Sequence, residues 1–179
     1  IFLLTIVLVY LVLAAQFESF VHPLTIITTV PLAVAGGVIG LAIMGQTLNL
    51  YSQIGIVMLV GLAAKNGILI VEFANQLRDE GMEIIAATRA AATRRLRPIL
   101  MTSIATAAGA VPLMIASGAG AAARSAIGVV IVFGVTLATL ITLVLIPIIY
   151  AKLARYTGSP LAVTRKLEAQ LGAVPQPAE

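Results

Sequence analysis

Lys65 is the residue in this chain whose type and position most clearly call for chemistry. Between Ser52 and Asn75 only Lys65 and Glu72 carry charge, and the rest of that run is apolar or small. If the run is a membrane helix, Lys65 sits near its middle, where an ionisable group is costly and by default functional or paired. The competing reading is a structural lysine satisfied by a neighbouring helix or reaching an interface, though snorkelling from mid-helix is difficult. Glu72 lies two turns further along the same face, roughly 10 Å away, too far for direct contact. No acid occupies the positions three or four residues from Lys65. An ammonium held in lipid without a counter-charge is unstable in its charged form. The sequence therefore predicts that the partner carboxylate comes from a helix outside this chain.

Polar residues that could assist Lys65 are few. Asn66 can hydrogen-bond across a helix interface, and Gly67 lets a neighbour approach closely. Thr102, Ser103 and Thr106 place hydroxyls at membrane depth, although such hydroxyls often bond their own helix backbone. Gly36 and Gly40 form a small-xxx-small pair that favours close packing, a weak signal in a chain so rich in Ala and Gly. His22 beside Pro23 suits an interfacial position better than a ligand role, and Glu18 is expected to face water in the same short loop.

What is missing excludes whole classes. There is no cysteine and a single histidine, so neither a disulfide framework nor a multi-His or thiolate metal centre is available. No Walker-type phosphate loop, nucleophile elbow or zinc-protease helix motif occurs. An enzyme is not expected, and neither is a cofactor. Transport, if any, would draw on an ion gradient or another subunit. No basic, aromatic-studded surface points to nucleic acid.

The elements that must position these residues are membrane helices. Of 179 residues, 60% are hydrophobic and 10% charged, with mean hydropathy +1.10. A soluble domain carries about a quarter of its residues charged. About 20 apolar residues span the hydrocarbon core, and the uncharged stretches give an all-α bundle of five transmembrane helices over about 1–16, 23–44, 52–75, 98–116 and 125–153. The first is short and reads as truncated, since the chain opens on Ile1 already apolar, as if cut from a longer protein. Pro31, Gly36 and Gly37 fall inside the second helix, which membrane helices tolerate. Ser117–Gly120 reads as a turn. The charged region between Gln76 and Arg97 suggests a short amphipathic surface helix over about 79–94, or equally a solvated helical loop. Residues 1–155 form the bundle, and 156–179 read as a flexible tail.

Basic residues orient the bundle. Arg78, Arg89, Arg94, Arg95 and Arg97 follow the third helix, and Lys152, Arg155, Arg165 and Lys166 follow the fifth. Two crossings separate these clusters, so they share one side, which positive charge makes cytoplasmic.

Three segments then resemble one known family. Tyr10–Pro23 (YLVLAAQFESFVHP), Gly61–Ala74 (GLAAKNGILIVEFA) and Arg95–Ser103 (RLRPILMTS) occur in the order and spacing of the resistance-nodulation-division efflux pumps, hydrophobe/amphiphile branch. The resemblance covers about Ile1–Arg155 and implies the last part of a twelve-helix subunit, starting within its eighth helix. In those pumps a membrane lysine beside two aspartates of the fourth helix takes part in proton relay, and Lys65 in its AKNG setting matches it. Arg95, Thr102 and Asn66 match the relay arginine, the nearby threonine and the asparagine beside the lysine. The heavy-metal branch usually lacks this lysine, which argues against metal export. The resemblance further implies drug/proton antiport, a homotrimer joined to a periplasmic adaptor and an outer-membrane channel, and a multi-pass subunit of the bacterial inner membrane. The aspartate pair and the drug-binding periplasmic domains are not in this sequence, so this chain alone is not expected to transport. Another secondary transporter of the superfamily and a truncated, non-transporting membrane segment are the alternatives.

Overall fold

The computed structural model describes residues 2–17 and 21–154. The expected tail, Glu18 and the side chain of His22 lie outside the described residues. Among the described residues six helices follow one another: α1 (Phe2–Phe17), α2 (Val21–Ile27), α3 (Thr29–Ile43), α4 (Leu50–Asp79), α5 (Ile84–Met114) and α6 (Ala121–Leu153). Counting α2 and α3 as one span from Pro23, four helices among the described residues are long and apolar enough to cross a membrane, and α1 is a shorter apolar helix. The all-α membrane bundle expected from composition is what forms.

The break between α2 and α3 has a local cause. Pro31 has no N–H to give the carbonyl of Ile27, and its ring crowds that same carbonyl. The helix opens at Thr28, where the hydroxyls of Thr28 and Thr29 donate back to Leu24 O (2.9 Å) and Ile26 O (2.7 Å). Hydroxyls thus satisfy carbonyls around the kink, as happens at prolines in membrane helices. The start of α4 is set by a reciprocal cap. Asn49 Oδ1 accepts from the Ser52 amide, and Ser52 Oγ accepts from the Asn49 amide, both at 2.8 Å. The turn expected over Ser117–Gly120 is present, with Gly118 at φ +89° and Gly120 at φ +73°, conformations that glycine adopts at no steric cost.

One expected element is different. No separate helix covers 79–94; α5 begins at Ile84 and runs unbroken through Pro98 to Met114. The reason is the buried face. Ala87, Ala91, Ile99, Ser103 and Ala110 are all buried at helical spacing, so one stripe packs on protein from Ala87 to Ala110, and the charged half is the first part of the same helix. Pro98 removes a single backbone bond, which this packing outweighs.

α6 is the hub, packed against α3, α4 and α5. Gly36 and Gly40 meet it where the small-xxx-small spacing placed a close approach: a Cβ on Gly40 would stand 2.5 Å from Phe133 Cβ, and one on Gly36 2.9 Å from Leu137 Cβ. Two apolar cores result. One gathers Leu59, Ala63, Val129, Val130 and Ala138; the other gathers Phe17, Ile70, Ala91, Ile99 and Ile146. Between them, in sequence order along α4, α5 and α6, fall Asn66, Ser103 and Thr139.

Candidate functional site

Those three residues form the central polar layer. Asn66 Nδ2 donates to Ser103 Oγ (3.2 Å) and to Thr139 Oγ1 (3.1 Å), and the Thr139 hydroxyl donates to Ser103 Oγ (2.8 Å). All three are buried. Each comes from a different helix, so the triangle fixes the rotation of α4, α5 and α6 about their axes. Buried polar groups in an apolar surround are held to such geometry because leaving one unpaired is costly.

That rotation decides where Lys65 points. With Asn66 turned into the bundle, Lys65 is turned out and is exposed in this chain. It lines a narrow cleft with Leu62, Asn66, Thr102, Ser103, Thr106 and Val135. The cleft has room for about one water molecule, far less than a drug-sized ligand needs. Among the described residues Lys65 makes no ion pair or hydrogen bond. Thr102 and Thr106 bond their own helix, to Ile99 O at 3.1 Å and Thr102 O at 2.8 Å. Of the three α5 hydroxyls that line the cleft, only Ser103 reaches another helix.

Of the residues singled out in the sequence, Lys65, Asn66 and Thr102 therefore meet at one cleft. Arg95 does not line it. Arg95 stands two turns before Thr102, roughly 10 Å along α5, with its guanidinium 4.6 Å from the centre of the Phe73 ring of α4. Its Nε is buried without a hydrogen-bond partner. Arg94 lies 6.0 Å from the same ring. Because α4 and α5 are antiparallel, Lys65 with Thr102 and Phe73 with Arg95 are successive rungs of one helix pair.

Thr139 is a residue that sequence reasoning missed. Thr136, Thr139 and Thr142 recur every three residues on α6, but spacing alone does not say which of them faces Asn66. A second network was also hidden. Arg78 Nη1 donates to Tyr150 Oη (3.3 Å) and Arg78 Nη2 to Ala154 O (3.4 Å), while Tyr150 Oη donates to Asn75 Oδ1 (2.5 Å). It ties the end of α4 to the end of α6.

Comparison with known proteins bears on what such a bundle belongs to. The AcrB/AcrD/AcrF family matches over residues 1–154. The chain is 46% identical over 160 residues to an uncharacterized transporter of Haemophilus influenzae, covering 86% of this chain and 16% of that protein. It is 40% identical over 158 residues to the toluene efflux pump membrane transporter TtgB of Pseudomonas putida (88% and 15%). It is also 40% identical over 153 residues to the multidrug resistance protein MdtC of Erwinia amylovora (85% and 15%). The chain thus spans about 15% of the length of these curated relatives.

Proposed function

Since this chain belongs to the AcrB/AcrD/AcrF family of transport proteins, we propose that it is the C-terminal membrane part of a proton-driven exporter of hydrophobic or amphiphilic drugs, with Lys65 as its coupling cation. The observation that carries this reading is the placement of Lys65. A single ammonium stands at mid-span of α4, beside a water-sized polar cleft, unpaired among the described residues. Nothing among the described residues pairs with so costly a group at that depth.

The coupling step follows from charge balance. A carboxylate supplied from outside this chain pairs with Lys65 when ionised, and the pair is strong because lipid and packed helices exclude water. Protonation of that carboxylate cancels the attraction and frees Lys65 to move. Asn66, held by Ser103 and Thr139, keeps α4 in register while the lysine side chain changes partner. Thr102 presents its hydroxyl oxygen at the cleft, and Arg95, one rung away against Phe73, supplies fixed positive charge towards the basic end. The proton gradient is the energy source, and no cofactor takes part.

The setting is the bacterial inner membrane, with the basic end of the bundle in the cytoplasm. Support comes from Arg78, which bonds Tyr150 and Ala154 and so gathers the ends of α4 and α6 on one side with the basic start of α5. By the family resemblance the assembly is a homotrimer working with a periplasmic adaptor and an outer-membrane channel, and the drug pockets lie in periplasmic domains this chain does not include.

The test is Lys65→Met in the full-length protein, expressed in a strain without its own efflux pumps, with dye efflux and membrane abundance measured together. Abundance is expected to hold while efflux falls to background. Efflux at the unsubstituted rate with normal abundance would make Lys65 a packing residue and remove the basis for antiport.

A further inference from the structure

On the side of α5 turned away from Thr102 and Arg95, a groove runs between α5 and α6. Its first part is lined by Ile85 and Arg89 of α5 and by Val144, Pro147 and Ile148 of α6. Further along the same pair of helices a second recess is lined by Leu100, Ile104 and Val111 of α5 and by Thr136 and Leu140 of α6, with the buried Ser103 and Thr139 at its floor. The walls are aliphatic and open: Val144 is 63% exposed, Leu140 60% and Ile104 66%. Thr88 and Thr93, which also border it, turn their hydroxyls to Ile84 O and Arg89 O, so they add no free donor. Arg89 is the one charge, at the mouth, and it makes no ion pair among the described residues.

Depth identifies the mouth. α6 is uncharged from Ser125 to Ala151, and Lys152 is the first charge after it. Ala151, which lines the groove with Arg89, therefore lies where hydrocarbon gives way to headgroups. From Ala151 back to Leu140 the rise along α6 is about 16 Å, close to one leaflet of a core about 30 Å thick. The groove is thus cationic at the headgroup end, and its exposed wall stays apolar for about the depth of one leaflet before it reaches Thr136, about 22 Å from Ala151.

We infer that this groove is a site for an acidic phospholipid, its phosphate paired with Arg89 and an acyl chain laid along Val144, Leu140 and Ile104. A phospholipid matches the charge at the mouth, and its acyl chains match the part of the apolar wall that is one leaflet deep. A packed helix would match the wall but would leave Arg89 matched only by water.

The test places a photoreactive benzoylphenylalanine at position 144 of the protein expressed in bacteria, and at position 43 as a control at the far end of α3. Membranes are irradiated and the adducts identified by mass spectrometry. The expected result is enrichment of phosphatidylglycerol and cardiolipin at position 144 by about fivefold over their share of the membrane, the gain for one basic residue near a surface. That enrichment is absent at position 43, is lost in Arg89→Gln and is retained in Arg89→Lys. Adducts in proportion to bulk lipid, adducts to protein segments from another helix or a second copy, or enrichment that survives Arg89→Gln would each overturn the assignment.

Discussion

Asn66 and Thr139 lie 73 residues apart in the chain, and the amide of one donates to the hydroxyl of the other at 3.1 Å in the middle of the bundle. Ser103 closes the triangle from α5. The lysine that neighbours Asn66 owes its outward direction to this contact, because consecutive residues on a helix project about 100° apart. A structural triangle and a candidate coupling residue are thus two consequences of one helix rotation.

Thr139→Val keeps the shape of the side chain and removes its hydroxyl. Stability is expected to fall by about 0.6 to 1.7 kcal/mol, the range for hydrogen bonds between membrane helices. Thr139→Ser is expected to keep most of it. Thermal unfolding in detergent, followed by circular dichroism, reads both; an unchanged midpoint for Thr139→Val would mean the triangle does not hold the helices.

Tyr150→Phe leaves Asn75 Oδ1 without its donor in a site where Asn75 Nδ2 is already unpartnered. A buried group orphaned in this way costs about 1 to 3 kcal/mol. Removing the amide as well, with Asn75→Leu, is expected to recover part of the loss, so the double variant should be more stable than the sum of the singles. Strict additivity would show that the two side chains are not coupled.

Gly40→Ala sets a methyl group 2.5 Å from Phe133. α3 or α6 must shift to admit it, at a cost of about 1 to 3 kcal/mol. At Gly109, where a Cβ meets nothing within 4 Å in this chain, alanine is expected to stabilise α5 by about 0.5 to 1 kcal/mol through helix propensity. Opposite signs for the two substitutions in the same unfolding assay would confirm that Gly40 is a contact and Gly109 is not.

Phe73→Leu preserves an apolar contact but removes the ring face beneath Arg95. A loss of about 0.5 to 2 kcal/mol is expected for the cation–π contact, with Phe73→Tyr close to unchanged. If leucine and tyrosine behave alike in thermal unfolding, Arg95 is held by something other than the ring.

Much of this molecule is legible in one dimension. Membrane spans follow from runs of apolar residues between charges, because the cost of burying charge in lipid is local and additive along the chain. The mid-helix charge at Lys65, the turn at Ser117–Gly120 and the small-residue face at Gly36 and Gly40 could all be read that way. The extent of α5 could not: Pro98 and a cluster of arginines suggested an end, and only the packing of Ala87, Ala91 and Ile99 against neighbouring helices carries the helix through.

The sequence by itself determined that the chain is a helical membrane bundle, which residue is its anomalous charge, and, by motif, its likeness to an efflux family. The tertiary structure decided that Lys65, Asn66 and Thr102 share a cleft while Arg95 packs one rung away on Phe73, and that Thr139 is the third corner beneath them. Hydropathy is a property of each residue and survives being read in order. Which hydroxyl meets which amide depends on the relative rotation and register of three helices, and those are fixed only when their faces pack.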